Sequence, residues 1–104
     1  MIVLSRFRVD PDDGGQFADE ARGAVRVLAG QPGFVSADVG RNMDEPTLWT
    51  VTTRWTNVGS YRRALQGYDA KVAVVPLLSR AIDEPSAYDD PELVGENLAR
   101  DTES

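Results

Sequence analysis

A segment in the middle of the chain joins a strand rich in tryptophan and threonine to an amphipathic helical run. Trp49 and Trp55 fall on one face of the predicted strand, because strand side chains alternate with period 2. Asn57 follows directly, and Tyr61 and Tyr68 are seven residues apart, which predicts one shared helical face. Two indoles and two phenols are therefore expected where strand meets helix, as one wall of a pocket.

The remaining periodicities predict the order βαββαβ within residues 1–89. Strands are predicted over residues 2–9, 34–40, 47–55 and 81–88, and helices from Asp10 to Gly30 and over residues 58–66 and 69–79. Pro76 predicts a kink or a restart in the last helix, and Pro85 predicts that the last strand lies at an edge. Residues 90–104 form an acidic tail, whose Leu93, Val94 and Leu98 indicate either one or two helical turns or disorder.

The composition excludes several classes of protein. At 104 residues the chain is expected to form one domain, and its net charge of −6 disfavours binding to nucleic acid. It contains no histidine and no cysteine, which excludes a Ser-His-Asp triad, a histidine zinc site, a thiolate metal site and histidine-ligated haem. No apolar run has the length of a membrane span, and no secretory signal is recognisable, so we expect a cytoplasmic protein without membrane contact.

Taken together with this element order, three motifs resemble the antibiotic biosynthesis monooxygenase family. They are Gly33-Phe34 opening the second strand, Trp55 ending the third, and the helical sequence Tyr61-Arg62-Arg63-Ala64-Leu65. The resemblance implies an α+β, ferredoxin-like protomer with a four-stranded antiparallel sheet. It also implies a dimeric α+β barrel, in which two sheets pack together and each protomer keeps a pocket between sheet and helices.

The resemblance assigns the two faces of the sheet. Ser5, Val3 and Phe7 are expected to line the pocket with Trp49 and Trp55. The opposite face carries apolar and threonine side chains that a small domain should not leave in water, which indicates a homodimer. This opposite face comprises Ile2, Leu4, Leu48, Thr50 and Thr52, together with Arg6, Arg8 and Arg54, for which Asp38 and Glu84 are candidate partners.

Haem-degrading relatives use an asparagine, a tryptophan and a histidine, and this chain retains only the tryptophan, Trp55. The asparagine position falls at Ser5 and the histidine position near Val74, and valine cannot ligate iron. The resemblance therefore favours the cofactor-free branch, which oxidises polycyclic phenols with dioxygen without metal or flavin. We expect no cofactor and no metal.

Each candidate site residue also has a structural interpretation. Trp55 and Tyr61 could stack an aromatic substrate or simply fill the core. Asn57 could stabilise a substrate oxyanion or cap the following helix. Arg62 could attract an anionic substrate or remain in solvent. The resulting assignment is Asn57, Trp55 and Arg62 as catalytic residues, with Ser5, Phe7, Trp49, Tyr61 and Tyr68 as substrate-binding residues.

Three functions remain open from the sequence. The first is a cofactor-independent monooxygenase acting on a phenolic or polycyclic aromatic compound. The second is a non-catalytic domain that binds a small aromatic molecule. The third is a purely structural dimeric protein with a filled core, which an interior too small for a ring would favour.

Overall fold

The computed structural model describes residues 1–94 and confirms the predicted element order. The elements are β1 (Ile2–Arg8), α1 (Gly14–Ala29), β2 (Phe34–Arg41), β3 (Leu48–Trp55), α2 (Val58–Ala64), α3 (Tyr68–Ala73), α4 (Val75–Leu78) and β4 (Ala87–Tyr88). The sheet is four-stranded and antiparallel, in the order β2-β3-β1-β4. This is the ferredoxin-like α+β arrangement. The first helix starts later than predicted, because Pro11–Asp13 forms a separate 3-10 turn.

The register of β1 against β3 confirms the predicted faces of the sheet. Phe7 lies opposite Trp49 and Ser5 lies opposite Val51, so their side chains share one face. The residues buried on this face are Val3, Ser5, Phe7, Val51, Thr53 and Trp55. On the opposite face, Ile2, Leu4, Leu48, Thr50 and Thr52 are all only partly buried. The helices therefore cover one face of the sheet.

Helix α1 supplies the largest part of the core above the sheet. Its buried side chains recur at helical spacing, at Phe17, Ala21, Ala24 and Leu28. Phe17 is only 1% exposed, and burying such a side chain stabilises the fold by roughly 1.5–3 kcal/mol. The helix ends at Ala29, as Gly30 predicts, and Pro76 restarts the later helical segment at the beginning of α4.

The sequence prediction that two tyrosines share one helical face is wrong. Tyr61 and Tyr68 do not share a helical face, because α2 ends at Ala64 and Tyr68 begins α3 after Gly67. Tyr68 is 81% exposed. The break in the helix therefore removes Tyr68 from the wall that the seven-residue spacing predicted.

The last strand is much shorter than predicted, two residues rather than eight. The segment before it forms two backbone hydrogen bonds with β1: the Ile82 N–H donates to the Arg6 carbonyl at 2.8 Å, and the Leu4 N–H donates to the Ser86 carbonyl at 2.7 Å. Between these bonds the chain loops away, and Pro85 has no N–H to donate. We call residues 82–86 the strap.

Beyond β4 the structure describes only part of the acidic tail. Leu93 and Val94 belong to a single helical turn over residues 91–94, and both are exposed. Leu98, the third apolar position in the predicted tail, lies outside the described residues. Of the one or two helical turns predicted for the tail, the structure therefore supports the first.

Candidate functional site

The aromatic side chains form two separate clusters rather than one pocket wall. Phe17 packs against Phe7 at 5.0 Å between ring centroids and against Trp49 at 5.3 Å. The second cluster forms around the other indole, six residues further along β3. Six residues of strand span about 20 Å, so the two tryptophans lie at opposite ends of the sheet.

Trp55 is the centre of the second cluster. Its ring lies 5.4 Å from Phe34, edge to face, and 5.7 Å from Tyr61. The indole is 2% exposed, and its Nε1 donates to the Thr53 hydroxyl at 2.8 Å. Because this N–H already donates to Thr53, it is not available to a bound molecule. The indole instead supports the ring of Tyr61.

Tyr61 separates Trp55 from the space outside the core. Its side chain is partly buried, and this burial raises the pKa of its phenol above the usual 10. The hydroxyl therefore stays protonated at neutral pH and can donate a hydrogen bond. Since it does not ionise there, it cannot serve as a base.

The space between sheet and helices is almost completely filled. A void of about 10 Å³ lies there, lined by Ser5, Val51, Tyr61 and neighbouring apolar side chains. That volume is at the limit for one water molecule. The interior is too small for an aromatic ring, so the predicted pocket between sheet and helices is wrong and the filled-core alternative holds for this space.

A larger space lies directly beside this void, where β1 meets the chain between α4 and β4. It is an open cleft of about 350 Å³, within the usual range of small-molecule sites. Ser5, Tyr61 and Leu78 line both spaces. The other lining residues are Arg6, Ser79, Ala81, Ile82, Asp83, Glu84 and Ser86. We call this space the β1 cleft.

The hydroxyls of Ser5 and Tyr61 are the polar groups at the inner end of the β1 cleft. The hydrogen bonds formed within residues 1–94 include none to either hydroxyl. Within the same residues, Trp49 Nε1 is the one fully buried side-chain polar atom that lacks a partner. Both hydroxyls must therefore keep access to the cleft, where they can bond to a ligand or to water.

The charged groups lie at the outer end of the cleft. Arg6 donates from Nε and Nη2 to the two carboxylate oxygens of Glu84, each at 2.6 Å. This hydrogen bonding raises the pKa of Arg6 and lowers the pKa of Glu84, so both remain charged at neutral pH. Asp83 is exposed and forms no ion pair within the described part of the chain. The cleft thus carries a neutralised pair and one free carboxylate.

A family model named antibiotic biosynthesis monooxygenase matches residues 1–75, which is most of the chain. The chain belongs to the antibiotic biosynthesis monooxygenase family. The predicted resemblance is therefore confirmed at the level of the family.

Solved structures agree with this family assignment at the level of the fold. SnoaB from Streptomyces nogalater, a cofactor-independent oxygenase, is 23% identical with a TM-score of 0.69, over 86% of this chain and 93% of that one. A conserved protein from Methanosarcina mazei Go1 is 20% identical with a TM-score of 0.67, over 83% of this chain and 84% of that one. No curated protein matches the chain significantly.

None of the three predicted catalytic residues of this antibiotic biosynthesis monooxygenase family member lines the β1 cleft, and Trp55 contacts it only through the ring of Tyr61. Asn57 caps α2, its Oδ1 accepting from the Ser60 N–H at 2.8 Å and from the Ser60 hydroxyl at 3.0 Å. The capping alternative for Asn57 is thus confirmed. Arg62 is exposed on α2, as its solvent alternative states. A catalytic role for either residue stays a prediction without support from the geometry of the cleft.

The predicted substrate-binding residues fall into two groups, those that line the cleft and those that do not. Ser5 and Tyr61 meet at the cleft, whereas Phe7, Trp49 and Tyr68 do not line it. Phe7 is 1% exposed in the first aromatic cluster. Trp49 is partly buried there, with the Arg41 guanidinium 5.2 Å above its ring. These positions favour the core interpretation of Trp49.

Sequence reasoning missed the wall formed by Leu78, Ile82 and Asp83. The apparent strand over residues 81–88 concealed it, since a regular edge strand would leave no cleft beside β1. The one available signal was Pro85 together with the adjacent acidic pair, which is typical of a turn rather than a ladder.

Residues 1–94 contain neither a cluster of metal ligands nor a membrane-spanning helix. Within them, no three histidine, cysteine, aspartate or glutamate side chains are grouped so that they could hold a metal ion. Val74, the position aligned with the haem ligand, is 1% exposed in the apolar core. In the same part of the chain, no helix combines the length and the apolar character needed to cross a membrane. The cytoplasmic location stays a prediction.

Proposed function

We propose that the protein is a cofactor-independent monooxygenase that oxidises a phenolic or polycyclic aromatic compound with dioxygen in the β1 cleft. The observation that carries the proposal is the pair of free hydroxyls, Ser5 and Tyr61, at the inner end of a ring-sized cleft. Family membership supports the type of reaction. Trp55 supports the Tyr61 ring from behind at 5.7 Å, which fixes the hydroxyl without occupying the cleft.

In the proposed reaction the phenolic substrate supplies all the electrons. One oxygen atom of dioxygen enters the ring as a quinone carbonyl, and the other leaves as water with two hydrogens from the substrate. The phenol binds in its neutral form and releases its proton to solvent water in the open cleft, and electron transfer from the resulting phenolate is favoured when its oxygen is stabilised. Tyr61 is protonated and can donate to that oxygen, with Ser5 as a second donor. These two residues replace Asn57 and Arg62 as the proposed anion stabilisers.

Dioxygen uptake with a panel of anthrols and naphthols tests this function. We expect the wild-type protein to consume oxygen, and we expect Tyr61→Phe to lower the rate about 10- to 100-fold by removing one donor. Tyr68→Phe removes the same hydroxyl from an exposed position outside the cleft and should leave the rate unchanged. If a compound protects the protein against heat but no oxygen is consumed, the protein binds without catalysis and the proposed activity is wrong.

We also propose that the protein forms a homodimer through the sheet face opposite the helices. Ile2, Leu4 and Leu48 are only partly buried there, and these apolar side chains would gain from a partner sheet. Arg6 and Arg8 on this face already have carboxylate partners within the chain, Glu84 at 2.6 Å and Glu45 at 3.2 Å. Sedimentation at micromolar concentration should give a dimer, and a monodisperse monomer would contradict the proposal.

A further inference from the structure

The balance of charge in the β1 cleft differs from what a site for anions requires. Arg6 is the one cation that lines the cleft. Its Nε and Nη2 both donate to the Glu84 carboxylate, which neutralises its charge. Asp83 adds a carboxylate that forms no ion pair within residues 1–94. The cleft therefore carries a net negative charge within a chain of net charge −6. The negative charge of the cleft and the negative charge of the whole chain both repel an anionic ligand.

The inner end of the cleft carries no charged group and offers two hydroxyls to a substrate oxygen. Ser5 is only 5% exposed, and its hydroxyl forms no hydrogen bond within the described part of the chain. Because this hydroxyl keeps access to the cleft, it can bond to a ligand oxygen in place of water. Tyr61 provides a second hydroxyl beside it, and Leu78 and Ile82 provide apolar walls. This end suits the oxygen of an uncharged hydroxyaromatic ring.

We propose that the β1 cleft selects uncharged hydroxyaromatic compounds and that Asp83 is the residue that excludes their carboxylated analogues. The inference rests on the proposed function, whose substrate class it narrows. Ser5 and Tyr61 bind the ring hydroxyl, and Asp83 repels a carboxylate on the same ring. Asp83 thus determines specificity without a part in the oxidation itself.

Two ligands with the same ring system differ in charge and by one methyl group, so the effect of charge is the part of their affinity ratio that salt and Asp83→Asn change. Methyl 1-hydroxy-2-naphthoate is neutral, whereas 1-hydroxy-2-naphthoate carries a carboxylate at neutral pH. Their dissociation constants are measured by titration calorimetry under anaerobic conditions, so that no turnover interferes. We expect the ester to bind at least about threefold more tightly at low salt, the scale of an exposed charge interaction. Added salt at 0.5 M should reduce this ratio.

Matched variants test the assignment to Asp83. Asp83→Asn should reduce the ester-to-acid ratio by about threefold, whereas Asp44→Asn removes the same charge from an exposed loop outside the cleft and should not change it. Ser5→Ala and Tyr61→Phe should weaken binding of both ligands about equally. Equal affinities of the wild type for ester and acid, or equal effects of Asp83→Asn and Asp44→Asn, would overturn the inference.

The outcome separates this inference from the proposed function. Selective binding of the ester without oxygen uptake leaves the selection by Asp83 in place and removes the monooxygenase activity. Oxygen uptake together with equal dissociation constants for ester and acid leaves the activity in place and removes the selection. Failure of both ligands to bind, with no oxygen uptake from either, overturns both.

Discussion

Arg6 and Glu84 form a bidentate ion pair that ties the middle of β1 to the strap. Both hydrogen bonds are 2.6 Å long, and the side chains remain 42% and 26% exposed. Two parallel N–H···O bonds give this pair a defined geometry as well as attraction. The pair therefore fixes the outer wall of the β1 cleft.

The first prediction concerns the pH dependence that this pair gives to stability. Hydrogen bonding to Arg6 lowers the pKa of Glu84 in the folded protein below its unfolded value of about 4.3. The stabilisation is therefore present above about pH 4.3 and lost as pH falls through the lowered pKa. Urea unfolding should show that Glu84→Gln is less stable than the wild type at pH 7, and that the difference shrinks at acidic pH.

Glu45→Gln provides the control for this prediction. Glu45 pairs with Arg8 at 3.2 Å, and both side chains are about 60% exposed, so solvent screens the pair more strongly. Its effect at pH 7 should be smaller than that of Glu84→Gln. A pH-independent difference between Glu84→Gln and the wild type would contradict the assignment.

The second prediction concerns Gly33, which has a φ of 88°. A Cβ at this position would overlap both Cβ and Oγ of Ser60, so the start of β2 and the first turn of α2 would have to separate. Gly33→Ala should lower the free energy of unfolding by roughly 2–4 kcal/mol through strain and overpacking. Chemical denaturation measures this value.

Gly15→Ala is the matched control for Gly33→Ala. A Cβ on Gly15 meets nothing within 4 Å, and the residue lies in the first turn of α1. Because alanine favours the helix over glycine, this variant should be more stable by up to about 1 kcal/mol. A destabilisation by Gly15→Ala equal to that of Gly33→Ala would show that loss of glycine, not contact with Ser60, is the cause.

The third prediction separates the capping role of Asn57 from a catalytic one. Asn57→Ala removes the acceptor for the Ser60 N–H and should destabilise the protein by about 1 kcal/mol. Asn57→Asp keeps a capping oxygen and should restore stability. If the cap is the whole role of Asn57, oxygen uptake is also restored in Asn57→Asp. Low uptake in a stable Asn57→Asp protein would instead support the catalytic assignment.

The fourth prediction compares the two tryptophans. Trp55→Phe removes the donor to Thr53 and leaves that buried hydroxyl without its bond, whereas the buried Nε1 of Trp49 has no partner to lose within residues 1–94. The loss of a hydrogen bond costs about 1 kcal/mol. Trp55→Phe should therefore be about 1 kcal/mol less stable than Trp49→Phe in urea unfolding. Equal losses would contradict this account.

The fifth prediction concerns haem. Val74 stands where a haem-degrading relative is expected to have its histidine, and it is 1% exposed among apolar side chains. The chain has no histidine to replace it. The purified protein should be colourless, and added haemin should give no sharp, saturable Soret change. A titration that saturates at one haemin per protomer, with reductive breakdown of the haem, would contradict the interpretation of Val74.

Most of the fold could be predicted because it follows from local periodicity. The alternation in β1 and β3 divides their side chains between two faces, and the resemblance to the family indicates that Ser5 and Trp55 lie on the face towards the helices. The spacing of Phe17 and Leu28 gives the inner face of α1. The cleft could not be predicted in this way. It depends on how residues 82–86 leave β1 between two backbone hydrogen bonds, and hydrophobic spacing does not report such a departure.

The candidate site was only half predicted, for a related reason. The two-residue period of a strand places Trp49 and Trp55 on the same face. It does not show how far apart they lie along the strand, which is about 20 Å. Similarly, a spacing of seven predicts one helical face for Tyr61 and Tyr68 only if the helix is continuous, and it ends before Gly67. Of the residues assigned to the site, Ser5 and Tyr61 are the pair that the three-dimensional structure brings to the cleft.

The two anchor points of the strap have a consequence for the evolution of this protein. The bonds from Ile82 and to Ser86 use backbone atoms, so they do not depend on which side chains the strap carries. Of the residues between the anchors, Asp83 lines the cleft and forms no ion pair within residues 1–94, so a substitution there can alter the wall of the cleft without loss of the sheet or of the Arg6–Glu84 pair. New substrate preferences can therefore arise at this position while the rest of the chain stays as it is.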